Sequence, residues 1–267
     1  MVNDQEPTSV TISRHVSGDS KRAFGAEEGE GESLCGAVAG AGGADAAWWG
    51  ACAAEAVGAA LLVLLTCLPA CAEAPPLQRA LAGGLIVATL VQCFDHISGA
   101  MMNPTVTLAA AVCGRVGWAK GAAYCAAQLA GALAGGAALH ALAPAAAACC
   151  RTAPAAGVAT SRAAALEALL GALLALANCA AWDAANRRLL DSWPLRIGLT
   201  VAALSLAAGE LTGASMNPVR SLAPALFSGD WSAHWVYWAG PLSGSLLASG
   251  LYRCAWRSPR QAPPRGL

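Results

Sequence analysis

Six apolar stretches, at about 46–72, 78–97, 118–142, 163–185, 194–212 and 233–256, constrain this chain more than any other feature. Each is as long as the roughly 18 to 20 residues with which an α-helix crosses the hydrocarbon layer of a bilayer. Backbone amides find no water there, so such stretches are helical. Charge is correspondingly scarce. Only 12% of the 267 residues are charged, and 11 of the 32 charges lie in residues 1–45. A soluble surface is not that poor in charge. With 57% hydrophobic residues and a mean hydropathy of +0.51, the expected fold class is an all-α membrane protein with six transmembrane helices. Sixteen Lys and Arg balance sixteen Asp and Glu, which removes any global attraction for nucleic acid.

Residues 1–45 are rich in Ser, Gly, Asp and Glu without an apolar period, which predicts a disordered tail, and residues 257–267 read as a short C-terminal tail. Between the second and third stretches, and between the fifth and sixth, lie shorter apolar pieces, 104–113 and 218–227, each opened by proline. They are too short to cross and read as re-entrant half helices, because proline suits the first helical turn. An even number of spans places both termini on one side. That side holds twelve of the sixteen Lys and Arg, so both termini are expected in the cytoplasm. Of the eleven cysteines, Cys52, Cys67, Cys93, Cys125, Cys179 and Cys254 fall in or beside apolar segments and are expected to be reduced hydrophobes. Cys71, Cys149 and Cys150 sit in connections, where a bridge has room to form. No cysteine or histidine spacing suggests a metal, and no cofactor is expected.

The chain also repeats itself. Ser98-Gly99-Ala100-Met101-Met102-Asn103-Pro104 recurs 114 residues later as Thr212-Gly213-Ala214-Ser215-Met216-Asn217-Pro218. The flanks repeat as well: Glu55 precedes Asn103 by 48 residues and Glu167 precedes Asn217 by 50, while Gly131 and Gly244 follow by 28 and 27. Three spans per half make the second copy inverted relative to the first, the arrangement by which membrane transport folds place a site at the midplane. Pro104 and Pro218 then open two half helices that enter from opposite faces, and their positive ends converge. Non-helical backbone at that depth is tolerated where it is buried in protein or lines a wet cavity, so the turns before Asn103 and Asn217 predict a pore. Each asparagine amide cannot ionise and carries two donors. Gly131, Gly135, Gly136 and Gly244 suggest close helix crossings, with Gln128 among them.

The paired motifs, the six-plus-two layout, His96-Ile97-Ser98-Gly99 and Trp238-Ala239-Gly240-Pro241-Leu242-Ser243-Gly244 resemble the aquaporin, or major intrinsic protein, family over residues 46–256. The departure is at the third motif position, where Thr105 and Val219 replace the usual alanine. The resemblance implies a passive channel rather than an enzyme, assembled as a homotetramer in a lipid bilayer, the plasma membrane being the expected host. It implies that Glu55 and Glu167 accept hydrogen bonds from the re-entrant backbone. It also places His96 beside the cytoplasmic vestibule, where it lines the mouth or bonds backbone.

By the same resemblance the outer constriction maps to Gly83, Ser205, Ala214 and Arg220. Gly83 stands where water-selective members carry an aromatic residue, and Ser205 where they carry histidine. Three of the four residues are therefore small, as in aquaglyceroporin-like members and in polyol-carrying insect relatives. A wider and less polar opening lowers the desolvation barrier for molecules that carry both carbons and hydroxyls. The expected substrates are glycerol, urea and similar small neutral solutes together with water, and Arg220 with the two helix ends excludes cations and protons. A strictly water-selective channel is the alternative. A coupled transporter would need ion-binding carboxylates beside the site, and a hydrolase would need a nucleophile paired with a base. Asp95 is the only nearby carboxylate for the former, and the four histidines show no paired Ser or Cys at a recognisable spacing for the latter.

Overall fold

The computed structural model describes residues 43–144 and 149–258. The expected tails, apart from Gly43–Asp45 and Arg257–Ser258, lie outside that range. Eight α-helices are found among the described residues, and no strand: α1 Gly43–Cys71, α2 Pro76–Ser98, α3 Pro104–Val112, α4 Trp118–Leu142, α5 Thr160–Trp182, α6 Trp193–Thr212, α7 Pro218–Ser228 and α8 Val236–Leu251. Five of them, α1, α2, α4, α5 and α6, are long and apolar enough to span a bilayer. The sixth expected span is shorter as an α-helix, 16 residues, and continues as a five-residue π-helical turn, Tyr252–Trp256. The fifth begins one residue earlier than expected, after a 3-10 segment, Ala184–Ser192.

The two proline-opened pieces are the short helices α3 and α7, of 9 and 11 residues. Each half helix crosses to the other repeat, α3 packing on α8 and α7 on α4, while α2 packs extensively on α6 and α5 on α8. Small residues make the crossings possible. A Cβ added at Gly131 or Gly135 of α4 would collide with the backbone of Ala56 or Ala60 of α1, and one at Gly244 of α8 with that of Ala168 of α5. A Cβ at Gly136 would lie 2.8 Å from the Phe227 ring of α7, a side-chain contact less severe than these backbone ones. The expected role of these glycines is met, and the equivalent pairs α1–α4 and α5–α8 share it.

One cysteine expectation needs correction. Cys67 is not a reduced hydrophobe but forms a disulfide with Cys150, with Cα atoms 5.1 Å apart. Cys67 lies one turn before the end of α1, and the connection between α4 and α5 folds back over that end. Nothing in the sequence spacing, 83 residues, discloses this return. Cys52, Cys93, Cys125, Cys179 and Cys254 are free, as expected.

Candidate functional site: a cavity at two half-helix ends

The backbone before each half helix takes a shape that most residues avoid. Gly99 and Gly213 have φ of 92° and 86°, and after them Ala100, Met102, Ala214 and Met216 also have φ between 42° and 53°. Left-handed conformations at non-glycine residues cost about 1 kcal/mol or more each and persist only where the surroundings hold them. Glu55 and Glu167 do the holding. Glu55 Oε1 accepts from Ser98 Oγ at 2.6 Å and Met101 N at 2.9 Å, and Oε2 from Met102 N at 2.6 Å and Gln128 Nε2 at 2.7 Å. Glu167 repeats the pattern with Thr212 Oγ1 at 2.7 Å, Ser215 N at 2.9 Å and Met216 N at 2.9 Å. Both carboxylates are fully buried, and every bond they make pulls on a loop or on its neighbour.

Two tyrosines that sequence reasoning did not single out complete each support. Tyr124 and Tyr237, both wholly buried, donate from their hydroxyls to Ser98 O at 3.0 Å and Thr212 O at 2.7 Å. They follow Asn103 and Asn217 by 21 and 20 residues, so the same internal comparison that paired the glutamates would have found them.

Asn103 and Asn217 each divide their side chain between two tasks. Asn103 Oδ1 accepts from Thr105 N at 2.8 Å, and Asn217 Oδ1 from Val219 N at 3.2 Å and Arg220 N at 3.4 Å, which caps α3 and α7. The amides cross over: Asn103 Nδ2 donates to Met216 O at 2.9 Å and Asn217 Nδ2 to Met102 O at 3.1 Å. The two repeats are thus stitched together at their centre, with one donor of each amide committed and one left.

Both asparagines line two cavities. One, of about 320 Å³, is also walled by Gly83, Ser205, Ala214 and Arg220, so all four residues expected at one constriction do share one space. Among the described residues no aromatic ring lines it, and a Cβ at Gly83 would meet nothing within 4 Å. The other, of about 50 Å³, lies between the asparagines and Trp193, with Asn178 and Ile197 beside it. Pro104 and Pro218 are buried at the helix starts, and Thr105 and Val219 are buried too, away from both cavities. Val219 packs among Val63, Ala132 and Leu139, whereas Thr105 gives its carbonyl to Ser245 Oγ at 2.7 Å. His96 is exposed on the last turn of α2 and lines neither cavity.

Arg220 reaches across the larger cavity to the α4–α5 connection. Its Nη1 donates to Cys150 O at 3.1 Å. Two residues on, Thr152 Oγ1 donates to Ser221 Oγ at 2.8 Å, and Ser221 also meets Ser215 Oγ at 2.5 Å. The sequence pointed to Cys150 as a place where a bridge could form but not to its contact with Arg220 or to Thr152, because contacts made by an irregular connection leave no period to read, and sequence reasoning also missed Ser221. Among the described residues no group of His, Cys, Asp and Glu has the arrangement of a metal site.

A sequence model of the family described as Major intrinsic protein matches residues 44–252. The chain is 39% identical to Aquaporin-4 of Bos taurus over 176 residues, 63% of this chain and 53% of that protein. It is 42% identical to the lens fiber major intrinsic protein of Oryctolagus cuniculus over 180 residues, 66% of this chain and 68% of that one. The match thus spans about half the length of the bovine relative. An X-ray structure of the aquaglyceroporin from Plasmodium falciparum superimposes with a TM-score of 0.71 at 21% identity, covering 78% of this chain and 96% of that one. That likeness concerns the fold.

Proposed function

The chain belongs to the major intrinsic protein family of membrane channels, and on that premise we propose that it is a passive channel for glycerol, urea and similar small neutral solutes as well as water. The carrying observation is the wall of the 320 Å³ cavity, where Gly83 and Ser205 leave open space and no ring closes it. In this reading Gly83, Ser205, Ala214 and Arg220 form the outer constriction and Asn103 and Asn217 the central one. Pro104, Thr105, Pro218 and Val219 build the half-helix starts, and Glu55 and Glu167 hold the loops.

A solute loses its water on entering, and hydroxyls or a urea carbonyl regain hydrogen bonds from Arg220, Ser205 and the uncommitted asparagine donors. A cation meets the Arg220 charge and then the positive ends of α3 and α7, in a space too confined for a full hydration shell. The same field opposes proton passage. His96, exposed near the narrower side, belongs in this reading to the cytoplasmic mouth.

A water-selective channel is the second reading. It is favoured by the small volume of the cavity between the asparagines and Trp193, about 50 Å³. The two readings separate in proteoliposomes transferred to inward glycerol or urea gradients. The proposal expects shrinkage followed by reswelling as solute enters, and reswelling no faster than in empty liposomes would overturn it.

The charge bias of the connections supports cytoplasmic termini. The Cys67–Cys150 disulfide agrees, since it sits at the end of α1 opposite the N terminus and disulfides persist on the oxidising side of a membrane. The plasma membrane is the proposed host. Leu77, Leu81 and Leu85 of α2 and Leu195 and Leu199 of α6 are exposed, surfaces suited to lipid or to the neighbouring subunits of a homotetramer. Residues 1–45 and 257–267 are proposed as cytoplasmic tails around a channel domain of 46–256.

A further inference from the structure

Among the described residues, the guanidinium of Arg220 donates its hydrogen bonds to a single residue. Besides the carbonyl of Cys150, the sulfur of the same cysteine lies 3.6 Å from Nη2. No carboxylate pairs with Arg220 among the described residues, where the ion pair found is Arg151 with Asp230 at 2.7 Å. The orientation of the cation therefore depends on where Cys150 is. Yet Cys150 belongs to a connection, the kind of segment that moves most readily when left to itself.

Several ties oppose that movement. Arg151 pairs with Asp230 at the surface, Ala155 N donates to Leu211 O at 2.9 Å, and the hydroxyl chain Thr152–Ser221–Ser215 is made of neutral hydrogen bonds. The tie at Cys150 itself is covalent. Cys150 is bonded to Cys67 on α1, and α1 is itself locked at Ala56 and Ala60 against Gly131 and Gly135 of α4. A rigid helix thereby fixes the residue that aims the arginine, closing a separation of 83 residues in sequence.

We propose that the Cys67–Cys150 disulfide is a positioning element of the outer constriction: by anchoring the Cys150 carbonyl it holds Arg220 across the cavity, so that solute selectivity depends on this bond. The inference rests on the reading of Arg220 as a constriction residue. Cys67 is the positioning residue, since it acts on Arg220 through Cys150. With the bond opened, the connection loosens, the guanidinium loses its fixed acceptors, and solutes larger than glycerol pass more easily relative to water. Opening it with a water-soluble phosphine is balanced: the phosphine gives two electrons and takes oxygen from one water, becoming its oxide. The two sulfurs receive the water's two protons and become thiols.

The test uses the full-length channel in proteoliposomes and reads the ratio of permeability for a four-carbon polyol to that for water. A loss of folded channels lowers both fluxes and leaves the ratio unchanged, so the ratio separates positioning from mere stability. Untreated protein, phosphine-treated protein, Cys67→Ser and Arg220→Ala are compared, with thiol labelling to confirm that reduction occurred. The ratio is expected to rise about tenfold on reduction, the factor that about 1.4 kcal/mol is worth and the scale of one charge-assisted hydrogen bond. Cys67→Ser is expected to show the raised ratio already and to ignore the phosphine. Should Cys67→Ser fail to fold, the reduced native channel answers the question alone. A ratio unmoved by confirmed reduction, while Arg220→Ala shifts it, overturns the positioning role and leaves the constriction reading intact. A ratio unmoved by Arg220→Ala as well overturns the constriction reading and this inference with it.

Discussion

Glu55 and Glu167 show how much one buried carboxylate can organise. Each receives donors on both oxygens, and without it the left-handed Met102 and Met216 lose the acceptor of their backbone N–H groups. Replacing Glu167 with Gln sets an amide NH₂ against an N–H or hydroxyl donor and leaves that donor buried without an acceptor. The expected loss is at least about 2 kcal/mol, as for a hydrogen bond to a charged group. Glu55→Gln is expected to lose more, since Glu55 also binds Gln128. Thermal unfolding in detergent measures both, and unchanged midpoints would mean that the loops hold their shape by other means. These glutamates were legible in the sequence because they occur twice at nearly equal offsets from the motif. Cys150 and Thr152 act through an irregular connection that no internal comparison discloses, whereas Ser221, four residues after Asn217 as Thr107 is after Asn103, was open to that comparison. Gly83 and Ser205 were legible only by counting from the motifs in a family resemblance, for a missing side chain carries no pattern of its own.

At the scale of the element, helix ends are where sequence and structure part company. Apolar composition runs on to about residue 185, but α5 stops at Trp182 and Asp183 turns aside in an extended conformation. Its carboxylate accepts from Ala185 N at 2.9 Å, Ser258 N at 3.0 Å and Tyr252 Oη at 3.2 Å, which ties the start of the 3-10 segment to the end of the last helix. The Ala185 and then the Ser258 backbone donors favour the charged form and hold the Asp183 carboxyl down to about 2. A depressed pKa stabilises the folded arrangement above the ordinary carboxylate value of about 3.9 and loses that contribution as pH falls from there toward 2. Hydrogen exchange at Ser258 is therefore expected to be slow at pH 5 and to lose protection, beyond the intrinsic change in exchange rate, between about pH 4 and 2. Asp183→Asn is expected to show weak protection at every pH. Equal protection in the variant and the native chain would show that Asp183 does not hold this segment. Hydropathy reports how deep a stretch can sit, not which carboxylate ends it, so this cap was invisible to a reading of apolar length. The half helices were legible for the opposite reason: proline at the first position of a short apolar run marks a beginning.

Across the whole molecule, the inverted repeat makes one motif build both sides of one site. The asparagine amides each bond the opposite loop, so neither half completes its own centre. The repeats are equivalent in their glutamates, tyrosines and crossing glycines, but not in what faces the cavities. One side opens into about 320 Å³ beside Gly83, Ser205 and Arg220, the other narrows to about 50 Å³ beside Trp193. In the proposed reading it is the open side, where Gly83 and Ser205 contribute little side-chain volume, that admits solutes larger than water. The most direct measurement is the ratio of glycerol to water permeability in proteoliposomes, taken for the native chain and for Gly83→Phe/Ser205→His, which restores the two missing rings. A native chain that conducts glycerol and a variant whose ratio falls about tenfold or more, equivalent to about 1.4 kcal/mol of added barrier, is the predicted result. Native vesicles that admit water and exclude glycerol, or a refilled variant that conducts glycerol as before, would contradict it.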